Sequence, residues 1–206
     1  MNLALLSAFI PTFFFVSITP GMCMTLAMTL GMTIGVKRAL WMMLGELVGV
    51  ATVAILSAIG VAALLLNYPS VFMVLKYLGG AYLAYVGIQM WLSKGKMAIK
   101  ADATGAKPAS RLDLISQGFV TAIANPKGWA FFVALLPPFL DASRPLTSQL
   151  IVLIAIILTL ELTCLLIYAA GGRTLKSILM QSGNVRIMNR IAGTLMIGVG
   201  IWLAVG

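Results

Sequence analysis

Three ionisable residues lie inside long apolar stretches of this sequence: Glu46, Lys127 and Glu161. A charged side chain at the centre of a bilayer costs roughly 3 kcal/mol on insertion scales, so such residues face the protein interior and mark paths for ions, protons or polar substrates. Lys127 lies about a dozen residues into its stretch, roughly 18 Å along a helix, and either carboxylate is a candidate partner for it. The alternative is an ion pair with a purely structural role.

Two helix-breaking motifs also interrupt apolar stretches: Thr19-Pro20-Gly21 and Asn125-Pro126-Lys127. Proline removes a backbone donor and clashes with the preceding turn, so each motif predicts a kinked or broken helix. The freed carbonyl groups need partners in hydrocarbon, which confines such breaks to places that are buried in protein or line a cavity. Two breaks at matching places in two halves of a chain indicate a site at the membrane midplane. Passive kinks are the alternative.

The elements that must position these residues are membrane-spanning helices. The chain is 61% hydrophobic and 9% charged, against roughly a quarter charged in soluble domains, and crossing about 30 Å of hydrocarbon takes about 20 apolar residues. The sequence therefore predicts an all-α integral membrane protein with six transmembrane helices, of which the first and the fourth are broken. We place these spans at 3–30, 39–66, 70–92, 114–140, 147–171 and 187–205.

The predicted spans form two halves within a single membrane domain, 1–206. A polar segment, 94–113, is expected to be a cytoplasmic linker between a first three-helix repeat, 1–93, and a second, 114–206. With three spans before the linker, the second half must insert upside down relative to the first. This arrangement predicts two inverted repeats.

A weak internal match supports the repeats. When Pro20 is aligned with Pro126, the two breaks coincide, and residues 80–88 (GAYLAYVGI) match 193–201 (GTLMIGVGI) in the first glycine and the closing Val-Gly-Ile. The distance from the proline to that glycine is 60 residues in one half and 67 in the other. Chance similarity between apolar segments is common, so the match supports the repeats without establishing them.

Basic residues are concentrated in the loops on one side of the predicted spans. Eleven lie in the loops after spans one, three and five, whereas one, Arg144, lies on the other side. Because positive loops stay in the cytoplasm, both chain termini are expected to face outward. This asymmetry accounts for the net charge of +9, so no nucleic-acid partner is expected. The eleven residues are Lys37, Arg38, Lys94, Lys96, Lys100, Lys107, Arg111, Arg173, Lys176, Arg186 and Arg190.

Most of the machinery of an enzyme or a metal site is missing from the sequence. It contains no histidine, no cluster of metal ligands and no Gly-x-Ser-x-Gly motif, which are the usual signs of such chemistry. Cys23 and Cys164 lie in apolar stretches and are expected to be small packing residues. We therefore expect no catalytic residue, no metal and no cofactor, and the chain is not expected to be an enzyme.

Other residues at helical spacing indicate packing. Glycines four residues apart let helices approach closely, as in Gly31 with Gly35, and Gly45 with Gly49. Tyrosines on one face of a helix indicate a packed core rather than a pore lining, as in Tyr77, Tyr82 and Tyr85.

In combination, these motifs resemble the lysine exporter (LysE/RhtB) family of bacterial amino-acid exporters, nearly from end to end. The matching segments are Thr19-Pro20-Gly21 in span one, Gly45-Glu46 in span two, 77–87 in span three, Ala124-Asn125-Pro126-Lys127 in span four and Leu160-Glu161 in span five. One departure is Met22, where the family usually has a second proline. It weakens the comparison at the first break and leaves the others intact.

The resemblance implies proton-driven export of an amino acid or close derivative across the bacterial inner membrane by a homodimer, with both termini periplasmic. An amino acid is a zwitterion, so its site needs a positive group for the carboxylate and a negative group for the ammonium. We expect alternating access, with Glu46 or Glu161 exchanging a proton for substrate. The expected partners are the amino acid, protons and the lipid bilayer. The substrate site is expected to be bounded by Thr19, Pro20, Gly21, Asn125, Pro126 and Lys127.

Two other functions fit part of the sequence. The carboxylates of Glu46 and Glu161 suit a cation or metal-ion transporter on a similar scaffold, but Lys127 beside them disfavours it. A membrane assembly subunit without transport activity is disfavoured because buried ionisable residues are costly to place without a use.

Overall fold

A computed structural model describes residues 3–93, 109–136, 139, 145–180 and 182–205. This part of the chain is almost entirely α-helical and contains no β-strand, so the predicted all-α class is confirmed. The helices in chain order are α1 (Leu3–Ile18), α2 (Met22–Ile34), α3 (Val36–Asn67), α4 (Pro69–Leu92), α5 (Arg111–Ile123), α6 (Pro126–Leu135), α7 (Leu146–Met180) and α8 (Ser182–Val205).

Long apolar helices give the fold its membrane character. Among the described residues, two helices are long and apolar enough to cross a bilayer by themselves, Val36–Val61 within α3 and Leu146–Gly172 within α7. Phe9–Ile18 and Met22–Ile34 qualify together as one span that is bent by 56°. The count of six spans stays a prediction.

Both motifs expected to break helices lie at helix boundaries. In the first, α1 ends at Ile18 and α2 begins at Met22; in the second, α5 ends at Ile123 and α6 begins at Pro126. A further interruption lies at the predicted end of span five, where Gly172 has a non-helical φ of 40° within α7. The predicted limits 39–66 and 70–92 agree with the ends of α3 and α4 to within a few residues, whereas α7 extends beyond 171 to Met180 and the predicted limit at 140 lies outside the described residues.

Arginine and tryptophan side chains meet at the end of the bundle that is predicted to face the cytoplasm. The guanidinium of Arg111 lies 5.1 Å from the ring centroid of Trp41, and that of Arg190 lies 4.7 Å from the ring centroid of Trp91. These cation–π contacts join α5 to α3 and α8 to α4.

Glycine lets α3 and α5 approach until their backbones touch. A Cβ atom added at Gly118 would lie 2.0 Å from the carbonyl oxygen of Met42, and one added at Gly45 would lie 1.9 Å from that of Ile115. The close packing predicted at Gly45 is therefore confirmed. The contact holds the next residue, Glu46, beside α5.

The remaining glycines of the two predicted pairs have different roles. A Cβ atom at Gly49 would lie 2.6 Å from the Cβ of Ala122, and one at Gly31 would lie 2.2 Å from the carbonyl oxygen of Ala169, so both confirm close packing. Gly35 does not, because nothing described lies within 4 Å of its added Cβ. It separates α2 from α3 with a φ of 82°, a conformation that glycine adopts without strain.

α4 and α8 pack antiparallel through two glycine pairs. An added Cβ at Gly87 would lie 2.6 Å from the carbonyl oxygen of Gly193, and one at Gly200 would lie 2.5 Å from that of Gly80. Each contact joins the first glycine of one matched segment to a late glycine of the other. A two-fold relation between the segments would give this pairing.

The tyrosines of α4 are not part of a core, and that prediction was wrong. Tyr77, Tyr82 and Tyr85 are between 42% and 57% exposed. The reason is that α4 packs on α8 through its glycine face, which leaves the tyrosine face on the outside of the bundle.

Buried apolar side chains form two separate clusters. The phenylalanine cluster includes Phe9, Phe13, Val53, Phe131, Phe132 and Phe139. The methionine cluster includes Cys23, Met24, Met28, Met42, Met43 and Tyr168. The break between α1 and α2 falls between them, because α1 contributes to the first cluster and the first turn of α2 to the second.

We expect Gly200→Ala to lower the free energy of unfolding by about 1–3 kcal/mol, the usual cost of overpacking, because the new methyl group would clash with the backbone of Gly80. Gly198→Ala is the matched control on the same helix, since its added Cβ has no described atom within 4 Å, and alanine is the better helix former. Thermal unfolding in detergent measures the difference. Equal midpoints for the two variants would contradict the close approach of α4 and α8.

Candidate functional site

The end of α1 leaves carbonyl groups that need donors. The last four carbonyls of an α-helix have no partner within the helix, and three of them in α1 accept hydrogen bonds from side chains. These bonds run from Thr19 Oγ1 to Phe15 O at 2.6 Å, from Lys127 Nζ to Val16 O at 3.0 Å and from Tyr168 Oη to Ile18 O at 2.7 Å. The break in span one is therefore stabilised by contacts from α6 and α7.

Lys127 reaches from α6 to the carboxyl end of α1. Its ammonium is partly buried and donates to the backbone oxygen of Val16, at a helix end where the dipole favours positive charge. Glu161 interacts with it electrostatically. The hydrogen-bond partner of Lys127 is thus the end of a helix. The sequence had predicted a carboxylate as its direct partner, and Glu161 lies nearby.

The break between α5 and α6 is closed by residues close to it in sequence. Asn125 caps α6 by accepting a hydrogen bond from the N–H of Lys127 at 3.2 Å, as N-cap residues do. Trp129 Nε1 donates to the freed carbonyl of Ile123 at 2.8 Å. Pro126 occupies the first turn of α6, where its missing N–H has no helical partner to lose.

α2 begins beside the break with uncapped amide groups. Its N-cap, Gly21, supplies no side-chain hydrogen bond to the first turn. The first N–H groups of a helix have no partner within it, and this end carries the positive part of the helix dipole, which attracts anions.

A cavity of about 90 Å³ lies where the two breaks meet. One water molecule needs roughly 10–15 Å³ by a comparable measure, so the cavity has room for several waters or a small solute. Its wall is built from α1, α2, α5 and α6 together with α3 and α7.

Two buried carboxyl groups line this cavity, and they differ in their hydrogen bonds. Glu161 Oε2 accepts a hydrogen bond from Ser17 Oγ at 2.6 Å. Glu46 is 0% exposed, and neither of its carboxyl oxygens has a hydrogen-bond partner within the described part of the chain. Glu161 and Cys23 are close enough to interact with it electrostatically. An ionised carboxylate without a partner is costly in such surroundings, so Glu46 needs a proton or a cationic group.

The cavity brings together most of the residues that were predicted as a site. Six of them line it: Thr19, Gly21, Glu46, Asn125, Lys127 and Glu161. Pro20 is not part of the lining and lies at the break itself, between the end of α1 and the start of α2. The side chain of Pro126 lies outside the described ones.

Three residues with polar side-chain atoms at the site were not predicted as members. Ser17 and Cys23 line the cavity, and Tyr168 holds the end of α1. The expectation that Cys23 only fills space in a core was therefore incomplete. Tyr168 follows Glu161 by seven residues, which is two helical turns, and this spacing places both on one face of α7.

An all-helical membrane protein with helices broken at a polar cavity has the architecture of a membrane transporter. The family model for LysE type translocators matches residues 14–206, and the chain belongs to this family. The resemblance to the lysine exporters is thereby confirmed. Members of the family are transporters and not enzymes.

Relatives align with nearly the whole chain. A leucine efflux protein of Enterobacter sp. (strain 638) is 28% identical over 195 residues, 93% of this chain and 90% of the relative. A homoserine/homoserine lactone efflux protein of Salmonella typhimurium is 26% identical over 197 residues, 96% of this chain and 94% of the relative. An uncharacterized membrane protein of Vibrio cholerae is 27% identical over 204 residues, 99% and 98% of the two chains. No solved structure matches the chain.

We expect Tyr168→Phe to lower the free energy of unfolding by about 1–3 kcal/mol, the cost of leaving a buried polar group unpaired, because the carbonyl of Ile18 loses its donor. Tyr77→Phe, at an exposed tyrosine of α4, is the control and should change it by less than about 0.5 kcal/mol. Thermal unfolding in detergent compares the two. A Tyr168→Phe protein as stable as the control would show that this bond does not hold the break.

Proposed function

We propose that this protein exports an amino acid or close derivative from a bacterial cell, driven by the proton gradient, with alternating access to the cavity between the two broken helices. The observation that carries the proposal is the charge pattern of that cavity, in which one ammonium and two carboxyl groups surround a space for a small solute. The relatives named for the efflux of leucine and of homoserine support the same class of substrate.

Both charged groups of an amino acid find a complement in the proposed site. The carboxylate of the substrate fits between Lys127 and the uncapped first turn of α2, since both favour negative charge. The ammonium fits Glu46, whose carboxyl oxygens accept no hydrogen bond from the described residues. Glu161 is a weaker candidate for the ammonium because Ser17 already donates to it.

Competition for one carboxylate explains how protons would drive export. In the proposed cycle, Glu46 binds either a proton or the ammonium of the substrate, since burying its charge without either is costly. A proton arriving from the more acidic outer side displaces the substrate outward. When Glu46 then releases the proton inside, the site is ready for the next substrate molecule.

Helix packing supports the proposed six spans in two inverted repeats. The second part of span one, α2, packs on span five, α7, and the second part of span four, α6, packs on span two, α3. A two-fold axis that exchanges the two halves converts one of these contacts into the other. The glycine pairs between α4 and α8 fit the same axis.

The proposed setting is the bacterial inner membrane, with both termini periplasmic. The contacts of Arg111 with Trp41 and of Arg190 with Trp91 support a cytoplasmic position for that end of the bundle, because basic residues stay inside and tryptophan favours the interface. A homodimer stays a prediction from the family resemblance.

Export profiling tests the proposed function directly. Cells that overproduce the protein should accumulate at least one amino acid in the medium well above cells with an empty vector. Lys127→Met should lower this export about tenfold or more, because a hydrogen bond to a charged group contributes about 1.5–3 kcal/mol and 1.4 kcal/mol corresponds to tenfold. Lys37→Met, at an exposed lysine of α3, is the control. If no amino acid accumulates, the proposed function is wrong.

Proton coupling is tested in proteoliposomes that are preloaded with the exported amino acid. With wild-type protein, a more acidic outside should accelerate efflux. Glu46→Gln should abolish this acceleration because glutamine takes up no proton, while Glu161→Gln should slow efflux and keep the acceleration. Size-exclusion profiles in detergent check that both variants fold. If Glu46→Gln still responds to the pH gradient, Glu46 is not the coupling residue, and loss of the response in Glu161→Gln alone would assign the coupling to Glu161.

A further inference from the structure

One side of the cavity is apolar, and the proposed function, which concerns the charged groups, gives this side no role. α1 and α6 run antiparallel there, since Lys127 bonds to Val16 while the rings of Phe131 and Phe13 lie 5.7 Å apart, centroid to centroid. Phe13 lies one turn before Ser17 in α1, and Phe131 lies one turn after Lys127 in α6. Both rings therefore lie on the same side of the charged groups, and both line the cavity.

α3 contributes to the same apolar side. Val50 and Val53 line the cavity one and two turns beyond Glu46, and Val53 belongs to the phenylalanine cluster together with Phe131. Val53 is 1% exposed and Phe131 is 4% exposed. Each of the helices α1, α3 and α6 thus has a polar group that lines the cavity and, one or two turns along the helix, an apolar side chain that lines it too.

The opposite side of the polar groups has a different character. There α2 begins without a side-chain cap from Gly21, and Met22 and Cys23 of its first turn line the cavity. The amino end of a helix suits the carboxylate of a substrate. An amino acid bound by its ammonium to Glu46 and by its carboxylate towards α2 therefore directs its side chain to the phenylalanine cluster.

The ionisable groups that line the cavity lie at the level of its polar side chains, one or two turns from the apolar side. Glu46 and Lys127 are engaged by the two charged groups of the substrate backbone in the proposed function, and Glu161 accepts a hydrogen bond from Ser17, one turn beyond Phe13. A charged side chain placed among Phe13, Val53 and Phe131 would lose its hydration without a partner, which is strongly unfavourable.

We propose that the substrate is an amino acid with an uncharged, apolar side chain, and that Val53 and Phe131 determine the size of the side chain that is accepted. This inference rests on the proposed function of the same cavity. It adds the class of side chain, which the charge pattern alone leaves open.

A competition experiment tests the side-chain class. Proteoliposomes are preloaded with one unlabelled amino acid: leucine, valine, phenylalanine, serine, lysine or glutamate. For each preloaded amino acid, the uptake of labelled leucine in exchange is measured. Leucine, valine or phenylalanine should exceed lysine and glutamate at least about tenfold. If labelled leucine exchanges with none of them, the same panel is repeated with labelled lysine and labelled glutamate.

The outcomes separate this inference from the function on which it rests. Exchange of lysine or glutamate as fast as, or faster than, the apolar amino acids would overturn the inference and leave amino-acid transport intact. Exchange of no amino acid in any arm would contradict the proposed function itself.

Two substitutions with opposite effects test the role of Val53. Val53→Ala enlarges the apolar side and should raise phenylalanine exchange relative to valine about tenfold, since one methylene in an apolar pocket changes discrimination by about 10–200-fold. Val53→Ile fills the same space and should shift the ratio the other way, so the test survives if one variant does not fold. Val48→Ala, at a half-exposed valine of α3 outside the cavity, is the control. If folded Val53 variants keep the wild-type ratio, the side chain does not bind there.

Discussion

The hydrogen bonds that close the end of α1 are the interaction on which the site depends. A helix broken inside a membrane leaves carbonyl groups that neither lipid nor, away from a cavity, water can satisfy. Here Lys127 of α6 and Tyr168 of α7 supply donors to two of them. The same two bonds draw both broken spans and α7 to one point. Each of these carbonyls left unpaired would cost about 1–3 kcal/mol, so the break and its neighbours stabilise one another.

This break also creates the electrostatics of the cavity. The carboxyl end of α1 and the amino end of α2 face the same small space, and helix ends carry partial charges of opposite sign. Lys127 neutralises the first, whereas the second is left without a side-chain cap. Glu46 remains without a hydrogen-bond partner in the described structure. In the proposed function, a zwitterion and a proton satisfy these groups.

The predictable part of the site consists of residues that are costly in a membrane. Glu46, Lys127 and Glu161 were identifiable because charge is rare in apolar segments, and the breaks were identifiable because proline cannot continue a helix. Ser17 and Tyr168 escaped prediction because a serine or tyrosine is unremarkable in an apolar stretch. Glu161 was among the predicted partners of Lys127, but the hydrogen bond from Lys127 to Val16 O was missed because a freed backbone carbonyl is not visible as a residue type.

The amino-acid sequence alone determined that the chain is an all-α membrane protein, where its helices break and to which family it belongs, because composition, proline and spacing act along a single helix. Only the tertiary structure decided that the tyrosines of α4 face outward, that Gly35 separates two helices and does not pack against a third, and that Glu46 has no hydrogen-bond partner among the described residues. Those outcomes depend on neighbours brought from far along the chain, as Val16 is brought to Lys127 across 111 residues. No local pattern specifies such a neighbour, since it is selected by the packing of whole helices against one another.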